Sequence, residues 1–216
     1  MTPDLLLQFL DYAAVAVFAV TGALAASRSQ LDIVGFIFIA CLTATGGGTL
    51  RDAILDRTVF WVADPVVLAV ATAAALAVFL TAHRLESRYG ALLWIDALAL
   101  AVAVPAGVAA AQGMGQAWPI VMVMGMVTGC MGGLLRDVVC NEVPLVLKQG
   151  ELYVTAAFAG TLAAVLAARL GLPEMAVLAL CAGVTLALRA GSLAFGWRLP
   201  VYRARPPRPD RPKRGP

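Results

Sequence analysis

The chain has 216 residues, of which 61% are apolar and 13% are charged, and its mean hydropathy is +0.86. Soluble domains carry about 25% charged residues, so this chain has too few polar groups to cover a surface that faces water. The composition excludes a soluble globular protein, and it excludes a largely disordered one, since disorder requires low hydrophobicity. Eight of the 16 Lys and Arg lie between Arg189 and Arg214, so no basic folded face for nucleic acid is expected.

Uncharged apolar segments divide the chain into seven predicted membrane helices. The longest uncharged run, Ala97–Leu135, is much longer than the roughly 20 residues that one span needs, and the polar turn at Gln112–Gln116 divides it between two spans. The predicted helices in chain order are Leu5–Ala26, Ile33–Leu50, Pro65–Ala82, Leu92–Ala111, Pro119–Leu135, Leu152–Ala168 and Glu174–Trp197. Because the apolar runs are continuous and do not alternate, helices are favoured over a β-barrel. The predicted fold class is an all-α polytopic membrane protein.

The distribution of basic residues predicts how the chain is oriented in the plasma (inner) membrane. Seven spans put the two termini on opposite sides, and the C-terminal side carries most of the Lys and Arg. The positive-inside rule then places the N-terminus outside and the C-terminus in the cytoplasm. The Pro-rich basic tail is expected to be disordered. We interpret it as a topogenic, solubilising segment, with binding of anionic lipid headgroups as the alternative.

The sequence repeats itself without gaps at a constant offset, which we call the repeat offset and which aligns Asp11 with Asp96. The other matched pairs include Gly22 and Gly107, Thr43 and Thr128, Gly47 and Gly132, Gly48 and Gly133, Leu50 and Leu135, Arg51 and Arg136, and Asp52 and Asp137. Each copy holds three helices, an odd number, so the second copy must cross the membrane in the opposite direction. The predicted domains are residues 1–88 (first repeat), 89–172 (second, inverted repeat), 173–199 (seventh transmembrane helix) and 200–216 (disordered basic cytoplasmic tail).

Two clusters of glycines lie within the second and fifth predicted helices, at membrane depth. They are Gly46, Gly47 and Gly48 in the second helix, and Gly129, Gly132 and Gly133 in the fifth. Each glycine costs about 1 kcal/mol relative to alanine inside a helix, so we expect these helices to kink or unwind there. Unwound backbone at this depth survives only against protein or a water-filled cavity, which predicts a pathway. The alternative is that small residues allow close helix packing.

Polar residues flank both glycine clusters and are candidates for lining or gating such a pathway. They are Thr43, Thr45, Arg51 and Asp52 in the second helix, and Thr128, Arg136 and Asp137 in the fifth. Ionisable groups inside a membrane typically mark an ion or substrate route. A purely structural ion-pair role is the alternative.

The helical geometry also suggests partners for these charges. Successive helical residues point about 100° apart, so each Arg is expected to pair across the repeats, or with Asp56, Asn141 or Glu142, and not simply with its own neighbouring Asp. Asp11 and Asp96 are interpreted as carboxylates that favour helix N-termini. Arg189 is interpreted as a residue that snorkels to the cytoplasmic side.

The doubled Gly-Gly-x-Leu-Arg-Asp motif resembles the prokaryotic trimeric intracellular cation (TRIC) channel family over about Leu5–Leu199. The resemblance implies a homotrimer whose subunits each contain a pore lined by the kinked second and fifth helices. It implies weakly selective, potassium-permeable conduction of monovalent cations, with membrane lipids as further partners. Met131 stands where the repeat would place a counterpart of Gly46, so the two helices are not expected to kink equally. No catalytic motif, metal site or cofactor site is evident, which predicts that the protein is not an enzyme.

The Arg–Asp pairs also leave a second function open. A zwitterion would place its carboxylate on Arg and its ammonium on Asp, so a secondary transporter of a small amino acid such as glycine is the alternative. A purely structural membrane subunit would leave the inverted repeat and the glycine clusters unexplained.

Overall fold

The computed structural model describes residues 3–84, 88–148 and 151–200, and these segments are almost entirely helical. The helices are α1 (Pro3–Arg28), α2 (Ile33–Ile54), α3 (Phe60–Ala63), α4 (Val66–Thr81), α5 (Arg88–Gly113), α6 (Trp118–Val139), α7 (Val154–Arg169) and α8 (Glu174–Phe195). The seven predicted helices correspond to all of these except α3, a single turn that the sequence analysis missed. The predicted tail, apart from Pro200, lies outside the described residues.

Five helices of the described segments are long and apolar enough to cross a membrane: α1, α2, α5, α6 and α8. The apolar helices α4 and α7 have 16 residues each, or about 24 Å at 1.5 Å per residue. This architecture confirms an all-helical membrane protein.

Helix α5 lies at the centre of the bundle and packs against α1, α6, α7 and α8. Its inward residues are small or branched, and Ala99, Leu100, Val104 and Val108 have no measurable exposure. Small side chains let helix backbones approach closely in a membrane, where packing replaces the hydrophobic effect as the main attraction between helices. This close packing fixes α1, α2, α5 and α6 around the candidate site.

The turns that end the helices recur at the repeat offset, as the sequence does. Asp56 and Asn141, which follow α2 and α6, both have a left-handed backbone, with φ of 52° and 55°. The next N–H groups, those of Arg57 and Glu142, donate back to the carbonyls of Asp52 and Asp137, each at 2.8 Å. These are matching helix-ending motifs, and Asp and Asn tolerate that conformation better than most residues. Asp56 and Asn141 are therefore turn residues. The sequence analysis had named them as candidate partners of the buried arginines, and that prediction is wrong.

Candidate functional site

The glycine clusters lie where α2 crosses α6. A Cβ atom added to Gly47 would overlap the carbonyl oxygen of Thr128, and one added to Gly132 would overlap the carbonyl oxygen of Thr43. Along α2 the order is Thr43 and then Gly47, whereas their partners come in the opposite order along α6, so the two helices run antiparallel. The two contacts are equivalent, because the repeat offset matches Gly47 with Gly132 and Thr43 with Thr128. Only glycine permits this approach of helix to backbone.

The other four glycines of the clusters also face close neighbours. A Cβ at Gly46 would lie 2.6 Å from Leu135 Cδ1, one at Gly48 2.5 Å from the Phe60 ring, one at Gly129 2.5 Å from Val104 Cγ2, and one at Gly133 2.9 Å from Tyr153 Oη. Both α2 and α6 remain helical through every one of these positions. Of the two predicted outcomes, kinking or unwinding, unwinding does not occur in this structure, where the glycines keep their helical conformation and allow close packing. Their role as a hinge stays a prediction.

The candidate threonines satisfy their own hydroxyl groups within the helices. Thr43, Thr45 and Thr128 each donate to the carbonyl four residues earlier, at 2.6, 2.8 and 2.7 Å. Thr43 and Thr128 also line a narrow cavity of about 10 Å³ beside Gly47 and Phe60. A space of this size holds about one water molecule. The crossing is therefore polar and nearly closed.

An open vestibule lies next to this cavity, at the end of the bundle where α2 terminates. It has a volume of about 220 Å³, and Asp11, Asp64 and Arg57 are its charged lining residues. Asp11 and Phe60 line both the vestibule and the narrow cavity, so the two spaces meet at these side chains. A wide vestibule therefore adjoins a cavity that holds about one water molecule.

The first buried ion cluster, which we call the Arg51 site, consists of Asp11, Arg51 and Asp52. Arg51 has no solvent exposure and donates four hydrogen bonds. Two reach Asp11 (Nη1–Oδ1 2.7 Å and Nη2–Oδ2 3.1 Å) and two reach Asp52 (Nε–Oδ1 2.8 Å and Nη2–Oδ2 3.1 Å). The Phe60 N–H also donates to Asp52 Oδ2, at 3.0 Å. Both carboxylates thus bind the guanidinium in a bidentate manner, which is the strongest geometry that such pairs adopt.

The second cluster, the Arg136 site, consists of the repeat counterparts Asp96, Arg136 and Asp137. Arg136 is also fully buried, but it donates only two bonds, Nε to Asp137 Oδ1 and Nη1 to Asp96 Oδ1, each at 2.7 Å. The Leu145 N–H donates to Asp137 Oδ2 at 2.9 Å, as that of Phe60 does in the first site. Arg136 Nη2 and Asp96 Oδ2 are buried and have no partner among the described residues.

The two sites lie at opposite ends of the antiparallel helix pair. Arg51 and Arg136 each lie six residues beyond the middle of the crossing, so they are about 18 Å apart along the helix axes. One arginine and two aspartates give each site a formal net charge of −1. Buried charges of this kind are costly unless paired, so each site holds three helix segments together and concentrates negative charge at one end of the crossing.

The pairing predicted from the sequence is wrong in its partners. Each arginine bonds its own neighbouring aspartate, because a long guanidinium side chain can fold back across the angle between successive residues. The remaining partner comes from the same repeat and not from the other one. Asp11 and Asp96 were interpreted as helix-end residues, and they are in fact members of the two sites. The signal that could have identified them was their equal spacing, since both precede their arginines by the same number of positions and match each other at the repeat offset.

Two further sequence interpretations are also wrong. Arg189 does not snorkel, because it has no exposure and donates from Nη1 to Glu151 Oε2 at 3.0 Å. Glu142 pairs with Arg28 at 2.9 Å and not with a buried arginine. Within the described segments, no group of three or more His, Cys, Asp or Glu is placed to hold a metal ion.

Comparison with known proteins identifies relatives over nearly the whole chain. A family model described as "Glycine transporter" matches residues 8–83 and 93–169. A UPF0126 membrane protein of Vibrio cholerae is 37% identical over 201 residues, which cover 91% of this chain and 83% of that protein. The UPF0126 inner membrane protein YadS of Escherichia coli K12 is 35% identical over 202 residues, with coverage of 92% and 97%.

A solved structure is similar over the same region. It is that of a TRIC trimeric intracellular cation channel orthologue from Rhodobacter sphaeroides, with a TM-score of 0.85 and 38% sequence identity. The match covers 88% of this chain and 98% of that one.

Proposed function

The chain belongs to the family of UPF0126 membrane proteins and prokaryotic TRIC channels, and on that premise we propose that it is a cation channel that conducts monovalent cations, potassium among them. The observation that carries the proposal is the vestibule at the end of α2, which shares Asp11 and Phe60 with a water-sized cavity lined by α1, α2 and Thr128 of α6. Asp11 and Asp64 outnumber Arg57 among the charged residues that line this mouth, and a net negative lining raises the local concentration of cations. A constriction of this width suits single ions that shed part of their hydration.

The same geometry argues against the amino-acid carrier suggested by the family model's description. A zwitterionic amino acid has several heavy atoms and does not fit a cavity of about 10 Å³. Two carboxylates occupy both two-pronged edges of the Arg51 guanidinium, so Arg51 has no such edge left for a substrate carboxylate. A carrier would require a larger cavity and a different pairing of Arg51.

The proposal extends to the arrangement of the subunit. We assign seven transmembrane helices (all except α3), with the N-terminus outside and the C-terminus in the cytoplasm, as two inverted three-helix repeats followed by α8. The reciprocal contacts of Gly47 with Thr128 and of Gly132 with Thr43 support a two-fold axis through the crossing. The Rhodobacter sphaeroides relative is described as trimeric. We propose a homotrimer in which each subunit has its own pathway at the α2–α6 crossing, bordered by lipid.

The first experiment records currents from purified protein in planar bilayers under a potassium chloride gradient. Unitary currents that do not saturate with substrate, and that reverse near the potassium equilibrium potential, are expected. Saturable glycine flux without unitary events would instead identify a carrier. Mass measurement in nanodiscs tests the trimer, and a monomer or dimer would contradict it.

Substitution of Asp64 tests whether the vestibule recruits cations. In water, a unit charge changes the energy of an ion about 7 Å away by about 0.6 kcal/mol, which is about a three-fold change in the local concentration of that ion. Asp64→Asn is therefore expected to reduce conductance about three-fold at low salt and very little at about 1 M salt, where charges are screened. Asp32→Asn is the matched control, because Asp32 is an exposed cap at the start of α2, and Asn caps a helix equally well. Equal effects of the two variants would refute vestibule recruitment.

A further inference from the structure

Two cavities of very different size occupy equivalent positions at the two ends of the α2–α6 pair. The repeat offset matches residues that line the vestibule with residues that line a second cavity: Arg57 with Glu142, Phe60 with Leu145, and Ala63 with Lys148. The second cavity, which we call the closed pocket, borders Asp137 of the Arg136 site, as the vestibule borders Asp11 of the Arg51 site. The closed pocket has a volume of about 10 Å³, whereas the vestibule has about 220 Å³.

An ion pair between the two repeats lines the closed pocket. Arg28, at the end of α1, donates from Nη2 to Glu142 Oε1 at 2.9 Å, so the pair ties α1 of the first repeat to the segment that follows α6 in the second. The Arg28 guanidinium also lies over the Tyr89 ring, 4.4 Å from its centroid, and Lys148 donates to the Tyr89 hydroxyl. All four side chains line the pocket. Long side chains from three parts of the chain thus converge there and hold one another in place.

The same ion pair cannot form at the vestibule. The repeat offset matches Arg28 with Gly113, which has no side chain to extend, and a Cβ built on Gly113 would meet nothing within 4 Å. It matches Glu142 with Arg57, so the acid of the pair is replaced by a base. Neither member of the pair therefore has a functional equivalent at the vestibule, which agrees with the larger volume of that cavity.

We propose that Arg28 and Glu142 form a latch between the two repeats, which keeps the mouth of the pathway at the Arg136 end closed and must break for the closed pocket to widen. The two side chains are 27% and 33% exposed, and an ion pair with this exposure shifts an equilibrium by no more than about five-fold. The latch therefore favours closure without preventing opening.

The charges of the closed pocket fit a mouth for cations once the latch is broken. With Arg28 withdrawn, Asp137 and Glu142 outnumber Lys148 among the charged lining residues, which is the balance of two acids and one base found in the vestibule. A net negative lining attracts cations. The part of this inference that concerns conduction rests on the proposed channel function.

Cys140 offers a direct measure of closure, because it lines the closed pocket and is half-buried. The rate at which N-ethylmaleimide modifies Cys140 in the purified protein, followed by peptide mass spectrometry, reports how often the pocket opens. Arg28→Gln is expected to raise this rate by about two- to five-fold. Loss of a nearby positive charge would by itself slow the reaction, since it disfavours the reactive thiolate. In bilayers, the open-to-closed ratio should rise by a similar factor.

Arg88→Gln is the matched control. It removes the same charge at the same end of the bundle, but Arg88 donates to the backbone carbonyls of Ala82 and Ser27 and is not among the residues that line the closed pocket. Arg88→Gln should leave the labelling rate of the parent unchanged. Reversal of the pair, Arg28→Glu together with Glu142→Arg, should restore the attraction and label Cys140 more slowly than Arg28→Glu alone.

The latch is overturned if Arg28→Gln labels no faster than the parent or than Arg88→Gln, or if the reversed pair labels as fast as Arg28→Glu. If Arg28→Gln does not accumulate in the membrane, Glu142→Gln breaks the same pair, and an open-to-closed ratio equal to that of the parent overturns the latch. If the parent protein itself carries no current, the channel function fails. The labelling rates of Cys140 then decide by themselves whether Arg28 and Glu142 hold the pocket closed.

Discussion

Alanine at Gly47 tests whether the glycine clusters serve close packing or helix opening. The added Cβ would have to move about 1 Å from the Thr128 carbonyl oxygen to reach an ordinary carbon–oxygen separation. Backbone of a packed helix cannot yield locally by that distance, so α2 and α6 must separate. Overpacking of this kind costs about 1–3 kcal/mol. The gain in helix propensity offsets only about 1 kcal/mol of that cost.

The control for this substitution is Gly183→Ala in α8. Gly183 is helical, and an added Cβ would meet nothing within 4 Å. The two variants therefore share the propensity gain and differ only in the clash. Gly183→Ala should hold or raise the melting temperature, whereas Gly47→Ala should lower it. Gly132→Ala, which repeats the clash against Thr43, should lower it by a similar amount.

The assay is thermal unfolding in detergent, followed by single-channel recording of the variants that remain folded. If Gly47→Ala is as stable as Gly183→Ala, the packing argument fails. If Gly47→Ala is as stable as Gly183→Ala and its channel opens less often, Gly47 acts as a hinge. A double variant at Gly47 and Gly132 should cost less than the sum of the two single changes, because separation of the helices relieves both clashes at once.

The remaining predictions concern charges and topology. Asp96→Asn should lower the free energy of unfolding by about 3 kcal/mol, because it breaks a fully buried ion pair with Arg136. Chemical denaturation measures the change, and an unchanged free energy of unfolding would contradict the argument. Arg189→Met should change stability by no more than about 1 kcal/mol, since two of its nitrogens are buried without partners and Glu151 is 28% exposed. Arg51→Met, which strands two carboxylates, is the comparison that should be far more damaging. A reporter fused to the C-terminus should be active in the cytoplasm, and an external reading would contradict the proposed orientation.

Helix positions and the internal repeat were predictable because both depend on local pattern. Runs of apolar residues separated by charges predicted seven of the eight α-helices of the described segments. The repeat offset aligned all six residues of the two ion clusters, but it did not show that Asp11 and Asp96 belong to them. The behaviour of the glycines was not predictable in the same way. Three glycines in a row weaken an isolated helix, but Thr128 and Phe60 pack against Gly47 and Gly48, and this tertiary contact outweighs the local cost.

The hydrogen-bond partners of the buried arginines were also not predictable from local sequence. The direction of the Cα–Cβ bonds suggested that Arg51 and Asp52 point apart, whereas the length of the arginine side chain decides the outcome. The difference between the vestibule and the closed pocket had no local signal, because it depends on Arg28, at the end of α1, meeting Glu142 beyond the end of α6. Sequence repetition predicts equivalent residues, and only the structure shows which neighbours make equivalent residues behave differently.

The reciprocal crossing of α2 and α6 bears on how such a chain could have arisen. The first repeat carries both halves of the contact, Gly47 on one side and the Thr43 carbonyl on the other. Two copies of that single repeat, inserted in the membrane in opposite directions, would therefore bind each other through the same two contacts. An ancestor half as long, with no fixed orientation, could have formed the crossing as a homodimer before its gene was duplicated and fused. Fusion of the two copies would then let them diverge, as at Tyr153 and its repeat counterpart Leu68, a difference that two identical chains cannot carry.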